Sequence, residues 1–316
     1  MSIDRVSSNT QTQLMLSQIM QAETALNKSQ EQVTSGRVAD NYAGYSDKTA
    51  MLEATRSAQE RVDGYQSGTA LAINQADLQD SQLSNLSDLA NQLRQAITTA
   101  VANNDGSTLM TTAQGIFDQV VQILNSKDAN GNYLYGGDQN GQPPLTATSL
   151  SDLTAMPSAS AAFQNGSVAN SVMIGDGQNV KVGVLASDIG TQLMQTFKDL
   201  ADADASASFS GGDLTGAQST FLSNEIATAS GAAGVINNAA AANGNVYNQL
   251  TDASQSQQAM STLFKGFVAN IQDVDMSTAI TSLNQNQVAL QAALQVTAQL
   301  HQVSLLNYLS MPSSTF

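Results

Sequence analysis

Few side chains in this sequence have the type and spacing to do chemistry. Asp128, Asn130 and Asn132 stand at the alternating positions that open a calcium loop. The sixth position of that template is Tyr133, where the sharp turn needs Gly. The twelfth is Gln139, where a bidentate Glu should close the cage, so Asn130-Gly131 reads as a plain turn. Asp202 and Asp204 sit among Ala and Ser and read as a solvated helix end. His301 is the sole histidine and lies between Leu300 and Gln302 with no carboxylate beside it, which is the setting of a structural imidazole. The chain has no Cys, which removes thiolate ligands, disulfides and Cys nucleophiles. The expectation is a chain with no catalytic residue, no metal site and no cofactor.

Charge and composition narrow the class further. Asp and Glu number 26 against 11 Lys and Arg, for a formal net charge of -15, and the few basic residues are scattered. Neutralising a phosphate backbone needs clustered Lys and Arg, so nucleic acid is not an expected partner. Lys28, Arg37, Lys48, Arg56 and Arg61 gather near the front, where pairing with Glu31, Glu53 and Glu60 on helix surfaces competes with a role in charge matching between stacked subunits. Nothing approaches the run of about 18 to 20 apolar residues needed to span a bilayer, and the first 20 residues lack the basic, apolar and small-residue blocks of a cleaved signal. Neither a membrane partner nor an ordinary export signal is expected.

What remains is helix. Met15, Ile19, Ala22, Leu26 and Val33 recur at helical spacing with a coiled-coil seam, in a segment otherwise rich in Gln, Ser, Thr and Asn that needs a partner helix to be stable. Gly36 breaks the pattern and residues 35–46 read as a loop. A long helix follows from about Lys48 to Asn103, marked by Leu71, Leu78, Leu86, Leu89, Leu93, Ile97 and Val101. The eleven-residue step from Leu78 to Leu89 predicts little supercoil. Leu71, Leu78, Leu86 and Leu93 are expected to pack on a returning helix that carries Ile226, Val235, Ile236, Val246 and Leu250, with Phe264, Phe267 and Ile271 extending the seam. A further helix over 108–126 should face Ile116, Val120 and Ile123 inward.

After Asn130-Gly131 the texture turns to strand and turn residues, and Val172-Met173-Ile174 and Val180-Lys181-Val182-Gly183-Val184 flank Gly175-Asp176-Gly177 as a hairpin would. Helical patterning returns at 189–203 and again from Leu214 to the end. The C-terminal apolar stripe is Leu290, Leu294, Val296, Leu300, Val303, Leu305, Leu306 and Leu309. Apolar stripes at both ends of the chain make subunit assembly the reading to test, through Met15, Ile19, Leu26 and Val33 at one end and Leu290, Leu294, Leu300, Val303, Leu305, Leu306 and Leu309 at the other. The fold class expected is mainly α with a small β insert: long antiparallel helices, a coiled coil of paired N- and C-terminal segments, and a central β-rich domain.

Both ends carry a family likeness. Ser7-Ser8-Asn9-Thr10-Gln11-Thr12-Gln13-Leu14 through Glu31-Gln32-Val33-Thr34-Ser35-Gly36-Arg37 resembles the N-terminal signature of bacterial flagellins and hook-associated proteins. Ile271 to Met276, Val288 to Val296 and Ser304 to Leu309 resemble the paired C-terminal signature. Together the resemblance covers roughly residues 1–137 and 214–316. Within that superfamily, Asn132-Tyr133-Leu134-Tyr135-Gly136-Gly137 is similar to the motif that closes the N-terminal half of its hook–filament junction members. After Asp40-Asn41 the family often has Pro, where this chain has Tyr42.

The resemblance implies residues 1–45 and 281–316 as a terminal helical coil forming a polymerisation core, 46–137 with 213–280 as an inner helical domain, and 138–212 as a β-rich outer domain. It implies a structural, non-enzymatic flagellar protein forming a junction ring, with Tyr133, Leu134, Tyr135, Gly136 and Gly137 as the junction-type motif. A minor filament flagellin is the alternative, and a secreted enzyme with a catalytic β insert is the reading from another class. The implied partners are further copies of the chain, the first hook-associated protein, flagellin and a cytoplasmic export chaperone bound at Leu294, Leu300, Leu305 and Leu306. The implied location is the extracellular flagellum, reached through the flagellar type III channel with no cleaved signal.

Overall fold

In a computed structural model of the chain, residues 2–128 and 130–309 are described, with the side chains of 2–9, 301 and 303–309 left aside. Val303, Leu305, Leu306 and Leu309 therefore have side chains outside the described set, as does His301. The helices are α1 (Ser2–Ser35), α2 (Thr49–Asn103), α3 (Leu109–Leu124), α4 (Leu150–Ala155), α5 (Ala186–Ser206), α6 (Gly216–Gln272) and α7 (Met276–Leu309). One antiparallel hairpin, β1 (Ser171–Gly175) and β2 (Gln178–Lys181), pairs Val172 with Val180 and turns at Gly177, whose φ of 71° suits Gly. The mainly α fold with a small β insert is thus the observed one.

The chain forms two compact units, one of residues 1–60 and 261–316 and the other of 61–260. In the first, α1 and α7 lie antiparallel. Gly36, at φ 69°, ends α1 where its N–H returns to the Gln32 carbonyl at 2.9 Å, and Arg37 bridges Asp273. Asp275 starts α7 by accepting the backbone N–H groups of Ser277 at 2.9 Å and Thr278 at 3.3 Å; these bonds hold its carboxyl below the usual carboxylate range.

The second unit holds the main core. The buried stripe of α2 runs Thr69, Ala72, Ala76, Gln79, Leu83, Leu86, Ala90, Leu93, Ile97 and Ala100, alternating steps of three and four. That is a seven-residue repeat, so the eleven-residue step expected from Leu78 to Leu89 does not set the geometry. Leu71 and Leu78 are 68% and 42% exposed, and Phe267 is exposed as well. The stripe that faces α6 instead uses small and polar residues next to those leucines, because Thr69, Ala76 and Ser87 meet polar partners there. Gln257 donates to Thr69 Oγ1 at 3.0 Å, Asn243 donates to the Ala76 carbonyl at 2.7 Å, and Ser87 donates to Asn237 at 2.8 Å. Leu86, Leu93, Ile236 and Leu250 are buried as expected, and so are Ile116 and Val120 of α3.

Residues 138–212 are less β-rich than their texture implies. Beyond the hairpin, their regular structure is helical, and α5 packs into the same core as α2 and α3, with Phe197 edge-on to Phe117 at 5.3 Å between centroids. Lys198 is buried and reaches the Leu153 carbonyl at 3.0 Å, which ties α5 to α4.

Candidate assembly surfaces

Residues 133–137 form a knot in the second unit. Tyr133 pairs with Lys127, whose ammonium lies 4.6 Å from the Tyr133 ring centroid, and its N–H reaches the Asn140 carbonyl at 2.9 Å. Leu134 is buried and bonds the Ser126 carbonyl at 3.0 Å. Tyr135 is fully buried. Its hydroxyl donates to Gln82 Oε1 at 2.9 Å, its carbonyl accepts the N–H of Ala186 at 3.0 Å, and burial pushes its phenol well above the usual tyrosine range. Gly136 and Gly137 are buried, and at Gly137 φ is 60° while a Cβ would fall 2.6 Å from the Val168 carbonyl oxygen. Four of the five residues are therefore inside the fold. The motif joins α3, α5 and the long loop between them and offers little surface to another chain.

The terminal helices present the opposite picture. Met15, Ile19, Leu26 and Val33 are half-buried on the α1 face toward α7. The answering stripe on α7 is Ala279, Leu283, Asn286, Leu290, Ala293 and Thr297, again at steps of four and three. Asn286 Nδ2 donates to Ser29 Oγ at 2.7 Å and to the Ala25 carbonyl at 3.2 Å, a polar contact that fixes the register of the pair. Of the residues expected at an assembly interface, Leu290 lies in this intrachain seam, whereas Leu294 and Leu300 lie off it, 49% and 37% exposed. Leu14, Leu16, Met20, Ile280, Val288 and Val296 are also exposed. Val296 belongs to the C-terminal stripe read from the sequence, whereas spacing does not single out Leu14, Leu16, Met20, Ile280 and Val288, which sit between the half-buried positions and become visible as a surface only once the seam is known.

Carboxyl groups elsewhere do not assemble a reaction centre. Asp128 Oδ1 accepts the N–H groups of Asn130 at 2.8 Å and Asn132 at 2.9 Å, which makes it the cap of a turn. Asp202 pairs with Lys198 at 3.1 Å, and Asp204 accepts the Phe209 N–H at 2.7 Å. Glu31 is exposed beside Asp40, whose hydrogen bond and charge raise its carboxyl above the usual range. Arg56 lies over the Tyr42 ring and donates to its hydroxyl at 2.9 Å, and Arg61 approaches Asp176 at 3.9 Å. Among the described residues, no group of three or more His, Cys, Asp or Glu is placed to hold a metal ion, and no helix is long and apolar enough to cross a membrane.

Comparison with known families settles the kinship of this arrangement. The bacterial flagellin N-terminal helical region matches residues 6–140, and the bacterial flagellin C-terminal helical region matches 226–309. The chain belongs to the flagellin family. It is accordingly a structural component of the flagellum, not an enzyme, in a family whose members self-assemble. No curated protein matches the chain significantly. Among solved structures it resembles a protein described as a flagellar hook-associated protein from Vibrio parahaemolyticus, with 15% identity, a TM-score of 0.57 and coverage of 70% of this chain and 96% of that one. It also resembles FlgL from Bacillus cereus, with 15% identity, a TM-score of 0.54 and coverage of 68% and 98%. At that identity the likeness is one of fold.

Proposed function

We propose that this flagellin-family chain is the junction subunit between the hook-associated proteins and the flagellin filament, acting as a ring of copies. The observation that carries the reading is the Asn132 to Gly137 segment, whose junction-type sequence is built into the core that holds α3 and α5 together. The exposed apolar side chains of α1 and α7 supply the surface such a subunit needs toward its own copies, the first hook-associated protein and flagellin. Export through the flagellar type III channel, and a cytoplasmic chaperone covering Leu294, Leu300, Leu305 and Leu306 beforehand, belong to the same proposal. A helix laid in a groove is the mode of recognition that suits such a stripe.

Deleting the gene and imaging the cells tests the role. A junction subunit leaves hooks without filaments and flagellin shed into the medium. Filaments still attached to hooks would make the chain a minor filament flagellin instead. Replacing residues 133–137 does not separate these readings, since loss of a buried motif unfolds the subunit in either role.

A further inference from the structure

Glu225, on α6, is the buried acid that the assembly surfaces do not use. It is 7% exposed, and its Oε2 has no hydrogen-bond partner. It sits where α5 crosses α6. Gln192 of α5 donates toward the Thr228 carbonyl at 3.5 Å, and its Nε2 lies 2.4 Å from where a Cβ on Gly231 would fall, so this side chain lies against the α6 surface within two turns of Glu225. Asp199 of α5 is the charge that acts on Glu225, and its own Oδ1 is occupied by Gln195 Nε2 at 2.8 Å. The remaining charges on that stretch of α5, Lys198 and Asp202, are paired with each other at 3.1 Å, and α6 places Phe221, Leu222, Thr228 and Ala229 within a turn of Glu225. From α2, Arg94 is the half-buried cation of the core-facing half, and among the described residues no basic side chain forms a salt bridge with either carboxylate.

A buried carboxylate oxygen with no donor is a costly arrangement when ionised, and a second negative charge in its neighbourhood adds to the cost. We propose that Glu225 is a proton-operated latch on the α5/α6 interface. With its proton, the Glu225 carboxyl is neutral and stays buried beside α5 at low cost. Without it, a buried carboxylate with an unpartnered oxygen carries its charge within the field of Asp199, and α5 loosens. The surroundings agree, since desolvation first and the charge of Asp199 second push Glu225 up to about 7, opposed by a side-chain hydrogen bond from Thr228 to the same carboxyl.

The direction follows from linkage. The folded chain binds this proton more tightly than the unfolded chain, so the stabilisation is complete below the ordinary Glu range and is lost as pH rises through neutrality. A folded value near 7 makes the unfolding constant rise about tenfold between about pH 6 and pH 8.

The test is denaturant unfolding of the full chain at both pH values, with backbone amide exchange over α5 corrected for intrinsic rates. The wild type should lose about tenfold in its unfolding equilibrium and lose protection in α5 at the higher pH. Glu225→Gln keeps the shape without the charge, so it should flatten the pH dependence and be the more stable protein at pH 8. Asp199→Asn, at a half-exposed site that tolerates change, should reduce the dependence even if Glu225→Gln fails to fold. A wild-type slope retained in Asp199→Asn, or in a folded Glu225→Gln, overturns the latch.

Discussion

Leu86 shows how little freedom a single core position has in this chain. It is fully buried in the stripe of α2 that serves the main core. That core is mostly aliphatic, with Phe117, Tyr135, Phe197 and Phe209 as its large members, and a close-packed interior closes only in part over a cavity. Leu86→Ala should cost about 2 to 5 kcal/mol in denaturant unfolding, and an unshifted midpoint would show that the neighbouring helices collapse onto the gap. Gly137 is constrained for a different reason, because its positive φ and the nearby Val168 carbonyl both oppose a side chain. Gly137→Ala should destabilise by about 1 to 3 kcal/mol from backbone strain with the close contact added, and equal stability to wild type would mean that the turn can change its conformation. Leu86 was legible from spacing alone. The need for Gly at 137 was not, since it depends on a carbonyl 31 residues further along the chain.

Helix pairing is decided by seams, and the two seams differ in kind. Between α2 and α6, leucines and isoleucines alternate with carboxamides such as Asn243 and Gln257, whose side-chain N–H groups donate across the seam while the Oε1 atoms of Gln79 and Gln257 are buried without a partner. Between α1 and α7, Met15, Ile19, Leu26 and Val33 are half-buried, and the facing residues include Ala279, Ala293 and Thr297, which offer little apolar area. Each fully buried large aliphatic side chain contributes about 1.5 to 3 kcal/mol, while ordering the backbone costs about 1 to 2 kcal/mol per residue. In the free chain, amides near Leu26 and Leu294 should therefore exchange far faster than those near Leu86, and become protected only on assembly. Comparable protection at all three sites in the unassembled chain would show that the terminal pair is stable by itself. Asn286 gives that pair its register, so Asn286→Ala should leave the helices present but speed exchange in α1 around Ser29.

For the molecule as a whole, the separation of buried motif from exposed stripe predicts which changes touch folding and which touch assembly. Leu294 and Leu300 are exposed and off the seam, so Leu294→Ser with Leu300→Ser should leave the unfolding midpoint of the free chain within about 0.5 kcal/mol of wild type. The same double variant should weaken binding of a neighbouring copy, each lost apolar contact contributing on the order of 1 to 3 kcal/mol. Sedimentation of the assembled and free forms separates these effects, and normal assembly would place the contact elsewhere. If one stripe also receives the export chaperone, the chaperone and the neighbouring copy compete. A chain ending at Asn286 that still bound the chaperone with full affinity would exclude a shared surface.

The amino-acid sequence by itself determined the helical class, the lengths of α2 and α3, the hairpin about Gly175 to Gly177 and the flagellin kinship, because periodicity, turn residues and terminal signatures are local properties of a chain. It determined the absence of Cys chemistry in the same direct way. Tertiary structure alone decided which of two adjacent stripes on a helix faces inward. Leu71 and Leu78 lost that place to Thr69, Ala72, Ala76 and Gln79 because α6 offers Gln257 and Asn243 in return, and small residues admit those carboxamides. Tertiary structure likewise put Tyr135 inside, left Leu294 outside, and buried Glu225, which on a helix read singly would belong to the solvated face. In each case the spacing fixes the angle at which a side chain leaves its helix, while its burial depends on what a distant part of the chain brings to meet it.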